Sequence, residues 1–366
     1  MSGFQCVNCG GVYPKTGIPY LCPQCGGVYD HAGLPTFTEE LIEDHLPGIW
    51  RFRHSFDLFE NAPIVTLGEG NTPLIWDEYR GKKIGFKLES LNPTGSYKDR
   101  GTAVLVSQLL AKNVHLAVED SSGNAGASFA AYAARAGLSA QIYVPAYASG
   151  PKRDQIEAFG ADLITIQGPR SAAASAVLEA ASAGVVYASH AYLPFGMMGV
   201  ATIAYELWED LVVDFAGTII APVGHGSLML GIVRGYQALL AKGYITKLPF
   251  FVGVQAENCA PVYLSSVSNS NKIEEVTEGE TLAEGVRVKN PIRGISLIKD
   301  IVAAKGIFTA IGEELLVESY RELGCHGVYV EPTSALVWGA VKKLYRSLPE
   351  PIILIMTGSG LKNQKR

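Results

Sequence analysis

Short runs of apolar and β-branched residues recur along the chain and alternate with longer segments rich in alanine and leucine. The short runs have the length of buried strands, whereas segments such as 125–136 and 171–183 have the length of helices. This alternation predicts an α/β fold with right-handed βαβ units and mainly parallel sheets. The predicted strands are residues 84–88, 115–118, 140–144, 162–166, 185–188, 217–222, 250–256, 327–330 and 351–356.

The length and charge of the chain narrow the classes of protein that it can belong to. A chain of 366 residues exceeds what one core usually holds, so we expect two domains. The net charge is −5 without a run of basic residues, which argues against nucleic acid and anionic membranes as partners. The longest apolar stretch, residues 212–233, contains Asp214, Pro222 and His225 and is interpreted as strand, loop and helix start. We therefore expect a cytoplasmic protein.

Residues 1–35 form a separate small segment, called here the ribbon segment. Its four cysteines stand in two CxxC pairs separated by residues 10–21, a spacing that brings four thiolates to one tetrahedral metal site. Disulfides or a redox pair are the alternatives, and the cytoplasmic setting and the lack of a βαβ context disfavour them. We predict a closed, structural zinc site with the ligands Cys6, Cys9, Cys22 and Cys25.

Four segments near predicted strand ends carry candidate chemistry, and open α/β sheets bind ligands at such positions. Lys98 begins an apolar helix, where the helix dipole and burial disfavour a charged amine and favour a nucleophilic one, although a surface lysine is the simpler alternative. The other segments hold glycines and hydroxyl groups suited to cradle anions, although helix capping or a plain turn would also use them. The segments are residues 92–101 (NPTGSYKDRG), 120–126 (DSSGNAG), 222–228 (PVGHGSL) and 356–362 (MTGSGLK).

These segments, in this order, resemble those of threonine synthases, which belong to the tryptophan-synthase β-subunit class (fold type II) of pyridoxal-phosphate (PLP) enzymes. The GEGNTPL motif at 68–74 and the N-terminal CxxC pairs are similar to that family as well. The resemblance implies two parallel-sheet three-layer domains preceded by the ribbon segment. It places residues 36–111 and 199–366 in a large PLP-binding domain and 112–198 in a small mobile domain. It further implies a lyase of amino-acid biosynthesis, and we expect a homodimer.

The resemblance also implies a role for each matched residue. Lys98 would carry the cofactor covalently, Asn124 would bond the ring 3′-oxygen, and Thr357 would face the ring nitrogen. A neutral hydroxyl at that place predicts an unprotonated ring nitrogen and no transamination. The cofactor phosphate would lie on Gly224, His225, Gly226, Ser227 and Leu228, and the substrate carboxylate on Ser121, Ser122, Gly123 and Ala125.

Two positions depart from the threonine-synthase pattern. Ala125 stands where the family usually has threonine, and SSGNAG is more similar to serine dehydratases. Residues 189–198 contain no arginine to hold a substrate phosphate, for which Lys152, Arg153 or His190 are the candidate replacements. We therefore expect conversion of O-phosphohomoserine and water to threonine and phosphate. The alternatives are a serine/threonine dehydratase or a β-replacement enzyme on an O-activated serine, and, in another class, a non-catalytic zinc-ribbon binding protein.

Overall fold

The fold is described from a computed structural model that covers residues 3–148, 150–168, 170–211 and 217–363. Ten helices lie in this part of the chain, and short 3-10 turns separate some of them. They are α1 Lys98–Ala111, α2 Asn124–Ala136, α3 Pro151–Ala158, α4 Arg170–Ser182, α5 Met197–Leu211, α6 Ser227–Ala241, α7 Pro261–Val267, α8 Gly294–Ala303, α9 Glu313–Cys325 and α10 Pro332–Leu344. Within these described residues, no helix combines the length and apolar character that crossing a membrane requires.

Twelve strands occur in the same described ranges. They are β1 Phe4–Cys6, β2 Tyr29–His31, β3 Leu74–Tyr79, β4 Lys82–Lys87, β5 Leu116–Glu119, β6 Ser139–Pro145, β7 Asp162–Ile166, β8 Val186–Tyr187, β9 Thr218–Pro222, β10 Phe250–Ala256, β11 Ile307–Ile311 and β12 Ile352–Ile355. Strand alternates with helix from β4 to β12, as the sequence predicts. The predicted strand and helix start at 212–233 correspond to β9 and α6, and residues 212–216 lie outside the described residues.

The chain divides into two compact units. Unit 1 comprises residues 1–70, 92–199 and 362–366, and unit 2 comprises residues 71–91 and 200–361. The expected domains of 36–111 with 199–366 and of 112–198 differ from this grouping, although both place a boundary near residue 199. The difference arises because α1 packs against α2 and so lies in unit 1 together with the ribbon segment.

Unit 2 contains a six-stranded sheet in the order β11-β10-β9-β12-β4-β3. Its central strands β9 and β12 are buried at every position, which explains their continuous apolar sequences. The edge strand β3 runs antiparallel to β4 and joins it through Arg80 and Gly81, both at positive φ. The other pairings are parallel.

Unit 1 contains a parallel four-stranded sheet in the order β7-β6-β5-β8 and the β1–β2 hairpin of the ribbon segment. Since β5 and β8 are parallel neighbours, the residues that follow them leave the same edge of the sheet. In unit 2 the same holds for β9 and β12. Each pair of neighbours therefore brings two of the predicted site segments together.

The sequence prediction is wrong for residues 327–330, which form only an isolated bridge between Val330 and Ser359. This segment is apolar because it covers the core, where Val328 and Val330 are buried, and not because it pairs along its length. The sequence also missed β3 and β11, whose exposed edge positions break the apolar pattern.

Candidate functional site

Lys98 is the first residue of α1, at the end of a turn that leads from β4. Gly95 makes this turn at φ +81° and donates its N–H to Asn92 O at 2.7 Å. The Lys98 side chain is half-buried, and its Nζ lies 4.9 Å from the centroid of the Tyr97 ring. The hydroxyl of Ser96, two residues earlier, is buried and has no partner within the described residues. A polar side chain buried beside the lysine fits a bound polar group.

Asp99 fixes the turn that presents Lys98. Its buried carboxylate accepts hydrogen bonds from the N–H and the hydroxyl of Thr94, each at 2.6 Å, and from Ser128 of α2 at 2.7 Å. Burial raises the pKa of Asp99, and these hydrogen bonds oppose that change. The carbonyl of Thr94 accepts hydrogen bonds from Gln155 and Lys362. Residues far apart in the sequence thus hold the loop before Lys98.

Residues 120–125, called here the serine loop, connect β5 to α2. The helix begins at Asn124 without a side-chain cap, so its first N–H groups point toward the loop. A Cβ atom on Gly126 would stand 1.8 Å from the carbonyl oxygen of Ser121, so only glycine permits this close turn. Ser121, Ser122, Gly123 and Asn124 are half-buried, and Ala125 is buried. The arrangement fits an anion, as the sequence predicts.

Two carboxylates anchor the serine loop from the β5 side. Glu119 is buried, accepts the N–H of Ser121 and lies 3.1 Å from Nδ1 of His190. Asp120 accepts the hydroxyl of Tyr187 at 2.7 Å. Burial and the Asp120 carboxylate raise the pKa of Tyr187, so the hydroxyl stays a neutral donor. The serine loop is therefore tied to the residues that follow β8.

The segment 189–198 packs mainly against the ribbon segment. The ring of Phe195 is fully buried and contacts Phe4, Tyr13 and Phe59, each with 5.4 Å between ring centroids. Of the cations considered from the sequence, Arg153 bonds Glu157 and the carbonyl of Ala148. Aromatic packing thus occupies the segment in which the family resemblance leads us to expect an arginine.

The segment 222–228, called here the glycine loop, links β9 to α6. Gly226 has φ +102°, and α6 begins at Ser227 without a side-chain cap. A Cβ atom on Gly224 would stand 3.0 Å from the carbonyl oxygen of Gly285, so the loop is confined to glycine there. The buried hydroxyl of Ser227 has no partner within the described residues. Uncapped N–H groups and an unused hydroxyl at a helix start fit an anion such as phosphate.

Thr357 lies just after β12, at the edge of the sheet from which the glycine loop leaves β9. Its hydroxyl is buried, donates to Oε1 of Glu331 at 3.0 Å and lies 2.9 Å from the hydroxyl of Ser334. A Cβ atom on Gly358 would stand 2.5 Å from the Glu331 carboxyl, so glycine lets the two approach. Thr357 thus belongs to a hydroxyl–carboxylate network.

The four cysteines of the ribbon segment come together. Their sulfur atoms all lie within 4.8 Å of one another, with 3.4 Å between Cys6 and Cys25 and 3.8 Å between Cys9 and Cys22. Each CxxC pair turns through an N–H to C=O bond, from Gly10 to Cys6 and from Gly26 to Cys22. Zn–S bonds of about 2.3 Å separate tetrahedral sulfurs by about 3.8 Å, so the set fits zinc. The separations exclude disulfides.

Unit 1 therefore holds Lys98 and the serine loop, and unit 2 holds the glycine loop and Thr357. Sequence reasoning missed Glu119, Tyr187 and Glu331, which contact the predicted residues or their neighbours directly. For Glu119 a signal existed, because an acidic residue ends an otherwise apolar strand. Glu331 precedes a proline at a helix start, and that context indicates only a helix boundary.

A comparison with protein families matches residues 65–358 to the pyridoxal-phosphate dependent enzymes. The chain is also similar to known threonine synthases. It is 31% identical to that of Methanocaldococcus jannaschii, with 98% of this chain and 92% of that protein covered. It is 33% identical to the threonine synthase of Mycobacterium leprae, with 87% and 89% covered.

Solved structures with a similar fold include other enzymes. A threonine deaminase from the organism abbreviated T.th. has a TM-score of 0.68 at 26% identity, with 81% of this chain and 93% of that chain covered. Maize serine racemase has a TM-score of 0.69 at 21% identity, with 79% and 88% covered. The second likeness bears on the fold alone.

Proposed function

The chain belongs to the pyridoxal-phosphate dependent enzyme family, and on that premise we propose that this lyase is a threonine synthase. Its reaction would convert O-phosphohomoserine and water to threonine and phosphate. The observation that carries the proposal is the similarity to the threonine synthase of Methanocaldococcus jannaschii, which extends over 98% of this chain. The residues of both units fit such an enzyme.

The glycine loop would hold the phosphate of PLP. The N–H groups at the start of α6 and the buried Ser227 hydroxyl are donors, and Gly224 and Gly226 leave room for the anion. Thr357 would face the ring nitrogen, and Asn124 would bond the ring 3′-oxygen. When bound, PLP supplies an electron sink that stabilises negative charge at the Cα atom of an amino acid.

Lys98 would hold the cofactor covalently and later move the Cα proton through its Nζ atom. Its place at a helix start favours the neutral amine that both tasks require. The Asp99 network supports this role, because a loop held by Thr94, Ser128 and Lys362 keeps the lysine in one place.

The serine loop would bind the carboxylate of the substrate. The N–H groups at the start of α2 are oriented toward it, and residues Ser121, Ser122, Gly123 and Ala125 would form its contact surface. Glu119 and Asp120 support the loop from behind through Ser121 and Tyr187, so its donors are preorganised.

One observation favours a second candidate, a serine/threonine dehydratase or a β-replacement enzyme on an O-activated serine. Phe195 packs against Phe4 and Tyr13, so this part of the segment 189–198 offers aromatic contacts and not a guanidinium. Ala125 also lacks the hydroxyl that the family usually has there. A substrate without a phosphate requires neither group.

Turnover separates the two candidates. The purified protein with PLP would be assayed for phosphate release from O-phosphohomoserine and for keto-acid formation from serine and threonine. A kcat/KM for O-phosphohomoserine at least about tenfold above the others, a difference of roughly 1.4 kcal/mol, supports the threonine synthase. The opposite order supports the dehydratase, and no reaction with any of them rejects both. An O-activated serine with a sulfur nucleophile then tests replacement.

We also propose structural zinc on Cys6, Cys9, Cys22 and Cys25. The grouping of the four sulfur atoms supports it, and four protein ligands leave no open position for catalysis. The predicted homodimer and the predicted cytoplasmic location stay predictions.

A further inference from the structure

Tyr20 connects the ribbon segment to the residues that follow β8. It lies two positions before Cys22, and its ring packs edge-on against Tyr187, with 5.4 Å between centroids, and against Tyr192, with 5.5 Å. These two rings are themselves 5.9 Å apart. The half-buried Tyr20 also packs against the small core around Val118 in β5. The ribbon segment thus contributes a side chain to the core of the four-stranded sheet.

From Tyr187 the contact continues to the serine loop. The buried Tyr187 ring lies on β8, the parallel neighbour of β5, and its hydroxyl donates to Asp120 at 2.7 Å. Asp120 directly precedes Ser121, whose hydroxyl in turn accepts the N–H of Gly123 at 3.2 Å. A path of direct contacts therefore runs from the ribbon segment through Tyr20, Tyr187 and Asp120 to the loop.

We propose that Tyr20 is a positioning residue that sets the affinity of the serine loop for the carboxylate of the amino-acid substrate. This inference rests on the proposed function, because it takes the serine loop as the carboxylate site. The effect is mechanical. The direction of the Tyr187 hydroxyl depends on its ring, and Tyr20 packs edge-on against that ring. A looser Tyr187 ring gives Asp120 and Ser121 more than one arrangement, and binding must then select one of them.

A charge or hydroxyl effect of Tyr20 is not required. The contacts of Tyr20 with Tyr187 and Tyr192 are ring contacts, which phenylalanine would preserve. Tyr187 acts through its hydroxyl, which phenylalanine would remove. The two positions therefore respond differently to the same replacement, and this difference identifies the path.

The experiment titrates full-length holoenzyme with serine and with O-phosphohomoserine and follows the visible absorbance of the bound cofactor. We expect Y20A and Y187F each to raise the apparent Kd by about tenfold, the order that follows from losing one positioning hydrogen bond. Y20F should change it less than twofold. Zinc content, the Kd for PLP and kcat should stay within twofold in all three variants. If Y20A fails to fold, Y20L keeps the bulk and removes the ring contact geometry.

A purely structural role of Tyr20 would lower the melting temperature of Y20A and leave the Kd for the amino acid unchanged, and that result overturns the proposal. A raised Kd in Y187F together with an unchanged Kd in Y20A also overturns it, because the ribbon segment would then not contribute. No spectral response of the unmodified enzyme to either amino acid would count against the proposed function itself.

Discussion

The hydroxyl of Thr357 donates its one hydrogen to the carboxylate of Glu331, 3.0 Å away. Because that hydrogen is used, Ser334 must be the donor in its own 2.9 Å contact with Thr357. The Thr357 oxygen therefore offers an acceptor to any further group. The sequence alone predicts that Thr357 donates to an unprotonated ring nitrogen, whereas the buried carboxylate behind it favours the protonated form.

Replacing Glu331 by glutamine should lower the pH at which the absorbance of the bound cofactor changes. A nearby negative charge stabilises a protonated ring system, so its removal lowers the pKa, and we expect a change of about one unit. The measurement is a spectrophotometric pH titration of purified holoenzyme. S334A, which removes a donor and keeps the charge, serves as the control with a smaller effect. An unchanged titration in E331Q would exclude Glu331 from tuning the cofactor.

Borohydride reduction of the holoenzyme should fix the cofactor to Lys98. The expectation follows from the position of Lys98 at the start of α1 and the network around Asp99. Mass spectrometry of the digested protein locates the label. A labelled peptide that contains Lys87 or Lys362 in place of Lys98 would contradict the assignment.

A phosphonate analogue of O-phosphohomoserine should inhibit weakly. A missing charge-assisted hydrogen bond costs roughly 1.5–3 kcal/mol, and an arginine makes two, which corresponds to about a hundredfold or more in affinity. Inhibition constants of the unmodified enzyme and of R153A and K152A measure this. Because Arg153 bonds Glu157 and Ala148, R153A should leave the constant unchanged. Tight inhibition that either variant abolishes would show a relocated phosphate site.

Metal analysis should give about one zinc ion per chain, as a closed four-thiolate site requires. C9S should lose most of this zinc and lower the melting temperature, with the cofactor spectrum unchanged. C325S is the matched control, since Cys325 is exposed and lies outside the cysteine cluster. Zinc-free unmodified protein with four titratable thiols in the cluster would disprove the metal site.

Gly199→Ala should destabilise unit 1. A Cβ atom at this position stands 2.1 Å from the carbonyl oxygen of Arg100, so α1 and the start of α5 would have to separate. We expect a loss of about 1–3 kcal/mol in the free energy of unfolding, measured by denaturant titration. Gly324→Ala in α9 is the control, because its Cβ atom meets open space, and it should cause no loss. Equal stabilities would mean that the helices adjust without cost.

The sequence predicted the central parallel strands and their helices because burial on both faces leaves continuous apolar runs, as in β9, β10 and β12. It also grouped the four cysteines correctly, since the CxxC spacing confines each pair. It could not identify Tyr187 and Glu331, whose importance depends on contacts with Asp120 and Thr357 across the fold. Local pattern carries no record of such pairings. The substrate residues remain predictions for the same reason.

Lys362 contacts the carbonyl oxygen of Thr94 at 2.7 Å, across 268 positions of sequence. Unit 1 is assembled from residues before 71, from residues 92–199 and from residues after 361, so a nascent chain that still lacks its last residues cannot complete it. The loop that presents Lys98 gains this partner only when synthesis has passed residue 362. Translation of nearly the whole message would therefore precede a fully ordered lysine, and prematurely terminated chains would leave that turn without one of its supports.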